Sequence, residues 1–116
     1  MSQAIIVQEE AREKDSLFRA TYIEMKNASL LFLSEKDDEL GTLAVAIPQT
    51  RQITGPPLSS ILLGDRNIMI ARLLAERLTE KIKKIALVSV FLKTVDEREA
   101  GPILLRLLEK TISEGD

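Results

Sequence analysis

Apolar and polar positions come in short, partly alternating blocks up to about residue 63 and then recur every three or four residues. Ala4-Ile5-Ile6-Val7 opens a strand that extends toward Arg12, and the charges from Glu13 to Asp15 predict a turn. Leu17 to Met25 alternates in part, with Phe18, Ala20 and Tyr22 on one face and Leu17, Thr21, Ile23 and Met25 on the other. Lys26-Asn27 is a tight turn into a third strand, Ser29 to Leu33. Asp37, Asp38, Glu39 and Gly41 mark a reversal before a fourth strand, Thr42 to Ile47, which Pro48 closes because proline cannot donate to a ladder. Pro48 to Pro57 (PQTRQITGPP) is the one long irregular stretch, and Leu58 to Leu63 follows as a fifth strand.

The first helical period begins at Ile68, with Ile70, Ala71, Leu74, Leu78 and Ile82 along one stripe and Arg72, Glu76, Glu80 and Lys83 off it. Asp65 or Asn67 can cap this helix, and Lys81, Lys83 and Lys84 suit the negative end of its dipole. Ile85 to Leu92 reads as a buried strand. Ala100, Ile103, Leu104, Leu107, Leu108 and Thr111 share one face of a last helix. Two starts compete for it: Thr94-Val95-Asp96-Glu97 fits a capping box, and Pro102 fits the first turn of a helix opening near Gly101. Ser113 to Asp116 is a frayed tail.

The predicted order is β-β-β-β-loop-β-α-β-α, and tight turns between successive strands imply an antiparallel sheet of six strands. The fold class is therefore α+β, one domain over residues 1–116, with both helices on one face of the sheet. Two helices cover one face only, and a solvated second face should be polar. The later strands are apolar on both sides: Leu30 and Phe32 oppose Leu31 and Leu33, while Ile85, Leu87 and Phe91 oppose Ala86, Val88, Val90 and Leu92. In the fourth strand the second face is Thr42, Ala44 and Ala46, small rather than charged. Either a second copy of the sheet covers that face, or Tyr22, Thr21 and the long N-terminal strand curl over to shield it. For the dimer, the expected interface residues are Leu31, Leu33, Ala44, Val88 and Val90.

Composition narrows the chemistry. Sixteen basic against eighteen acidic residues leave a net charge of −2, without the basic footprint of a nucleic-acid binder. With no Cys and no His, thiolate chemistry, the commonest general base and the commonest metal ligand are all missing. Four aromatic residues, Phe18, Tyr22, Phe32 and Phe91, are too few for a base-stacking platform. No apolar run approaches the ~20 residues of a membrane span and no signal peptide opens the chain, so a cytoplasmic, non-catalytic protein without cofactor or metal is expected.

The corner Gly64-Asp65-Arg66-Asn67 carries one glycine where phosphate loops carry several, and reads as a helix cap. The acidic run from Glu35 to Glu39 lacks the alternate carboxylates of a calcium loop and reads as a solvated hairpin tip. The loop Pro48 to Pro57 is the candidate partner site, because a long loop in a small domain is often functional. Gln49, Arg51, Gln52 and Thr54 supply its polar contacts, Arg51 being suited to a bidentate pair with a carboxylate. A mere connection is the plainer reading of the same loop.

Gly41-Thr42-Leu43, a loop with prolines, then Leu62-Leu63-Gly64-Asp65 before Ile70-Ala71-Arg72-Leu73-Leu74-Ala75, resemble the proteasome assembly chaperone 3 family. The likeness continues through Ala86-Leu87-Val88-Ser89-Val90 and the closing helix, and covers the chain from about Ser29 onward. It implies a small α+β chaperone, dimeric with itself or with a related chain. Such a protein would bind alpha-type subunits as the alpha ring of the 20S core particle forms. Another class of proteasome chaperone docks through a C-terminal hydrophobic-tyrosine motif; this sequence ends Ser-Glu-Gly-Asp, so that mode is not expected. The alternative is a longin- or roadblock-like regulator of small GTPases, although such domains usually place a helix early among the strands. An enzyme working with Lys and carboxylates is the third class.

Overall fold

The computed structural model describes residues 4–49 and 57–115. Its elements are β1 (Ile5–Glu13), β2 (Ser16–Glu24), β3 (Ala28–Glu35), β4 (Thr42–Ile47), β5 (Leu58–Leu63), α1 (Ile68–Ile82), β6 (Ile85–Phe91) and α2 (Glu97–Gly115), in the predicted order. Lys14 and Asp15, both at positive φ, make a two-residue hairpin that sets Glu13 opposite Ser16 and fixes the β1–β2 register.

The sheet is mixed rather than antiparallel throughout. Its strand order is β1-β2-β3-β6-β4-β5, and β6 pairs parallel to β3 and antiparallel to β4. The expectation failed because the link from β3 to β4 is not a hairpin: it steps across the end of β6, which α1 returns to the gap. Gly41 marks that step. A Cβ there would lie 2.1 Å from the carbonyl oxygen of Val90, so only glycine lets the chain pass, and its N–H donates to the Ser89 hydroxyl at 2.8 Å.

Both helices cover the same face, α1 over β4, β5 and β6 and α2 over β1 and β2. The ladder puts Tyr22, Leu31, Val88 and Ala44 in one cross-sheet row and Ala20, Leu33, Val90 and Thr42 in the next, all buried beneath the helices. Beneath α1 the sheet presents Ala44, Ala46 and Ala86, and α1 itself buries Ala71 and Ala75. Small residues on both sides let helix and sheet approach closely. Beneath α2 the larger Phe18 and Tyr22 fill the space, each contributing about 2–3 kcal/mol by leaving water. The Tyr22 hydroxyl stays satisfied, 3.1 Å from Ser29 Oγ.

Helix α2 starts at Glu97. Asp96 Oδ1 accepts the Glu99 N–H at 2.9 Å and is the cap, which leaves Pro102 inside the helix. Among the described residues no helix is long and apolar enough to cross a membrane.

Candidate docking surfaces

The side of the sheet away from the helices has no cover from the described residues. One row across it reads Ile6, Ile23, Leu30, Leu87, Val45 and Ser60, and the next Gln8, Thr21, Phe32, Ser89, Leu43 and Leu63. Leu30, Phe32, Leu43, Val45, Leu87 and Phe91 are each only half-buried. The face is graded. At one end stand the exposed Ile47, Leu58 and Ile85. At the other Arg19 bonds Glu10 at 2.7 Å and Asp38 at 3.0 Å. A partner sheet would meet an apolar centre with a charged border on one side, the pattern of a specific interface.

The residues expected at a dimer interface do not lie here. Leu31, Leu33, Ala44, Val88 and Val90 are at most 1% exposed and point under the helices. The small residues lie under the helices because close helix packing selects them. The bulkier set, Leu30, Phe32, Leu43, Val45, Leu87 and Phe91, is the one left in the open.

The strand-to-helix corner is closed by the protein's own groups. Gly64 takes φ 95°, and a Cβ there would meet the Thr42 hydroxyl at 2.6 Å. The Thr42 hydroxyl donates to the Arg66 carbonyl and pins the corner to β4. Neither Asp65 nor Asn67 caps α1 through its side chain: Asn67 holds the N-cap position with φ 58° and makes no side-chain cap bond. Glu97 of α2 does so instead, accepting the Ile70 N–H at 3.0 Å. A carboxylate of the protein thus fills the place where an anion would sit.

The acidic run is not a uniform solvated tip. Asp37 and Glu39 pair with Lys93 at 3.4 and 3.3 Å, Asp38 pairs with Arg19, and Glu35 is fully buried. Glu35 Oε1 accepts the backbone N–H groups of Lys93, Thr94 and Val95 at 2.8, 2.9 and 3.1 Å. Its Oε2 accepts the hydroxyls of Ser16, at 2.7 Å, and of Thr94. Burial by itself would raise the carboxyl pKa. The hydrogen bonds from Ser16, Thr94, Val95 and Lys93 outweigh it and hold the group at about 2. Glu35 therefore joins the end of β3, the start of β2 and the loop into α2 as a permanent anion.

Ion pairs also line the far ends of the helices. A cleft of about 530 Å³ between the ends of the two helices is lined by Glu24, Lys81, Glu109 and Ser113. Lys81 bonds Glu109 at 2.7 Å and Lys84 bonds Glu24 at 3.0 Å, which accounts for two of the three C-terminal lysines. The Lys81 bond lowers the Glu109 pKa against the opposing effect of burial, with help from Arg77. Among the described residues no group of three or more acidic side chains is placed to hold a metal. In the loop from Pro48 to Pro57, Gln49 is half-buried; Arg51, Gln52 and Thr54 lie outside the described residues.

Three comparisons bear on identity. The family model of proteasome assembly chaperone 4 matches residues 18–92, from β2 through β6. The sequence resemblance pointed to chaperone 3; the matching model is that of chaperone 4. Among solved structures, the chain is similar to one described as "Crystal Structure of a Novel Chaperone Complex for Yeast 20S Proteasome Assembly", at 18% identity over 97% of this chain and 94% of that one, with a TM-score of 0.69. At that identity the likeness establishes the α+β fold. No curated protein matches.

Proposed function

Because the chain belongs to the proteasome assembly chaperone 4 family, whose model spans β2 to β6, we propose that it is a non-catalytic, cytoplasmic chaperone of 20S proteasome assembly. Its clients are alpha-type subunits, held while the alpha ring forms. The family match carries this reading. The lack of His and Cys agrees with it.

The working unit is a dimer, with a second copy or a related chain laid on the uncovered sheet face. Leu30, Phe32, Leu43, Val45, Leu87 and Phe91 form its centre and the Arg19–Glu10–Asp38 cluster its polar border. Two sheets so stacked lie about 10 Å apart with their side chains interdigitated. Gln49, Arg51, Gln52 and Thr54 of the loop Pro48 to Pro57 contribute to client contact. The GTPase-regulator alternative loses support from the element order, in which five strands precede the first helix.

The test is binding of purified alpha-type subunits to the wild type and to a variant in which residues 49–55 are a Gly-Ser linker. Wild-type binding, weakened in the linker variant, is expected. Recovery of a small GTPase and no alpha-type subunit from the source cell would overturn the reading; undiminished binding by a folded linker variant would remove the loop from the client site.

A further inference from the structure

The two open edges of the sheet are built differently. β1 carries Glu9, Glu10, Arg12 and Glu13, the charges by which natural edge strands resist pairing. β5, at the other edge, reads LSSILL and has no charged residue. Among the described residues it pairs with β4 alone. Exposed apolar side chains gather around the same edge: among the described residues, six of the thirteen large ones lie between Leu58 and Leu73. Met69 is 70% exposed, Leu58 66% and Leu62 54%. Helix α1 flanks the edge. Its Arg72 and Glu76 both bond the Ser59 hydroxyl on β5, which fixes that side of the helix over the strand. Ile68, Met69 and Leu73, together with Arg72 and Glu76, line an open cleft of about 400 Å³.

We propose that the β5 edge, with the first turns of α1 beside it, accepts an extended, uncharged segment of a partner protein as a further strand. This rests on the chaperone reading and names the mode by which a client is held. The edge of β5 that is unpaired among the described residues presents main-chain donors and acceptors, which another strand satisfies and a helix does not. Exposed apolar side chains stand on both flanks, and Arg72 and Glu76 are already engaged by Ser59. The segment is therefore apolar on both faces: alternate side chains meet Ile68 and Met69 on one side and Leu58 and Leu63 on the other. The register shift between β4 and β5 leaves Leu62 unpaired and confines regular pairing to Leu58–Ile61, so the docked segment is short. A second copy of β5 is a poorer occupant, since it would bring Ser59 and Ser60 to the middle of the pairing.

The experiment is hydrogen-exchange mass spectrometry of the full chain with and without each purified alpha-type subunit, alongside Ile68→Glu/Met69→Glu. Ile68 and Met69 are 41% and 70% exposed, so glutamates there reach water and this variant should keep its fold. The expected result is slowed exchange at Leu58–Leu63 on binding and an affinity loss of at least about tenfold in the variant. Binding with unchanged exchange at β5, or equal binding by the variant, overturns the edge proposal and leaves the chaperone reading standing. Exchange at β5 that slows with the protein's own concentration, without any subunit, assigns the edge to a second copy and overturns it too. If no alpha-type subunit binds the wild type, both readings fall.

Discussion

Replacing Glu35 by Gln keeps the volume of a fully buried side chain and removes its charge. In the wild type the carboxylate accepts three backbone N–H groups and two hydroxyls. The amide oxygen can still face the N–H groups of Lys93, Thr94 and Val95, and the hydroxyls of Ser16 and Thr94 can rotate to accept from the amide nitrogen. What is lost is the ionic strength of these bonds. A carboxyl lowered from 4.5 to about 2 prefers its ionised form in the fold by about 3 kcal/mol. Because the folded pKa is depressed, that stabilisation is complete above 4.5 and is lost as pH falls toward 2. Urea unfolding at pH 7 should therefore show Glu35→Gln about 3 kcal/mol less stable than wild type, with the gap narrowing through pH 4 to 3. A melting temperature lower by roughly 10–15 °C would accompany it. A difference below about 0.5 kcal/mol at pH 7, or one that stays constant in acid, would refute the reasoning.

Three further outcomes are expected. Glu97→Ala should destabilise the protein by about 1 kcal/mol through loss of the α1 cap, whereas Asp65→Ala should change the melting temperature little; the reverse order would restore Asp65 as the cap. Gly41→Ala should cost about 3 kcal/mol, read by urea unfolding, because its Cβ meets the Val90 carbonyl at 2.1 Å; a folded variant of near wild-type stability would show that the crossing is not tight. Phe32→Glu or Leu87→Glu should leave a folded monomer where light scattering finds the wild type dimeric, and a wild type monomeric at micromolar concentration would sink the sheet-face dimer.

The elements themselves were legible because each follows from local pattern. The periods in Leu58 to Leu63 and Ile68 to Ile82 name a strand and a helix without reference to anything distant. Strand neighbours were not legible, since the two-sided apolar run of β6 is equally compatible with a place beside β3, β4 or β5. Gly41 was the one local sign of the crossing, and it reads equally well as a turn glycine. The exchange of the two sheet faces arose from treating Ala44 and Ala46 as the residues left for the outside. Against a helix at close range they are the natural lining, and Leu43 and Val45 take the open side. Glu35 and Glu97 were missed because their partners are remote: Glu35 bonds residues about 20 positions earlier and about 60 later, and Glu97 caps a helix from the one that follows it. The resemblance in the region after Ser29 located the right group of chaperones, and the family model placed the chain with chaperone 4.

The position of β6 between β3 and β4 has a kinetic consequence. The β1–β2–β3 meander and the β4–β5–α1 unit can each form from short-range contacts, yet neither borders the other in the finished sheet. They are joined only when β6, made after α1, pairs with Ala28 to Ser34 on one side and Thr42 to Ala46 on the other. Closure of the sheet is then a late, long-range event, and folding should be slow for a chain of this size. Until it happens, the inner edges of β3 and β4 are open to other strands. A pulse-labelling experiment should find the amides of β2 protected before those of β6.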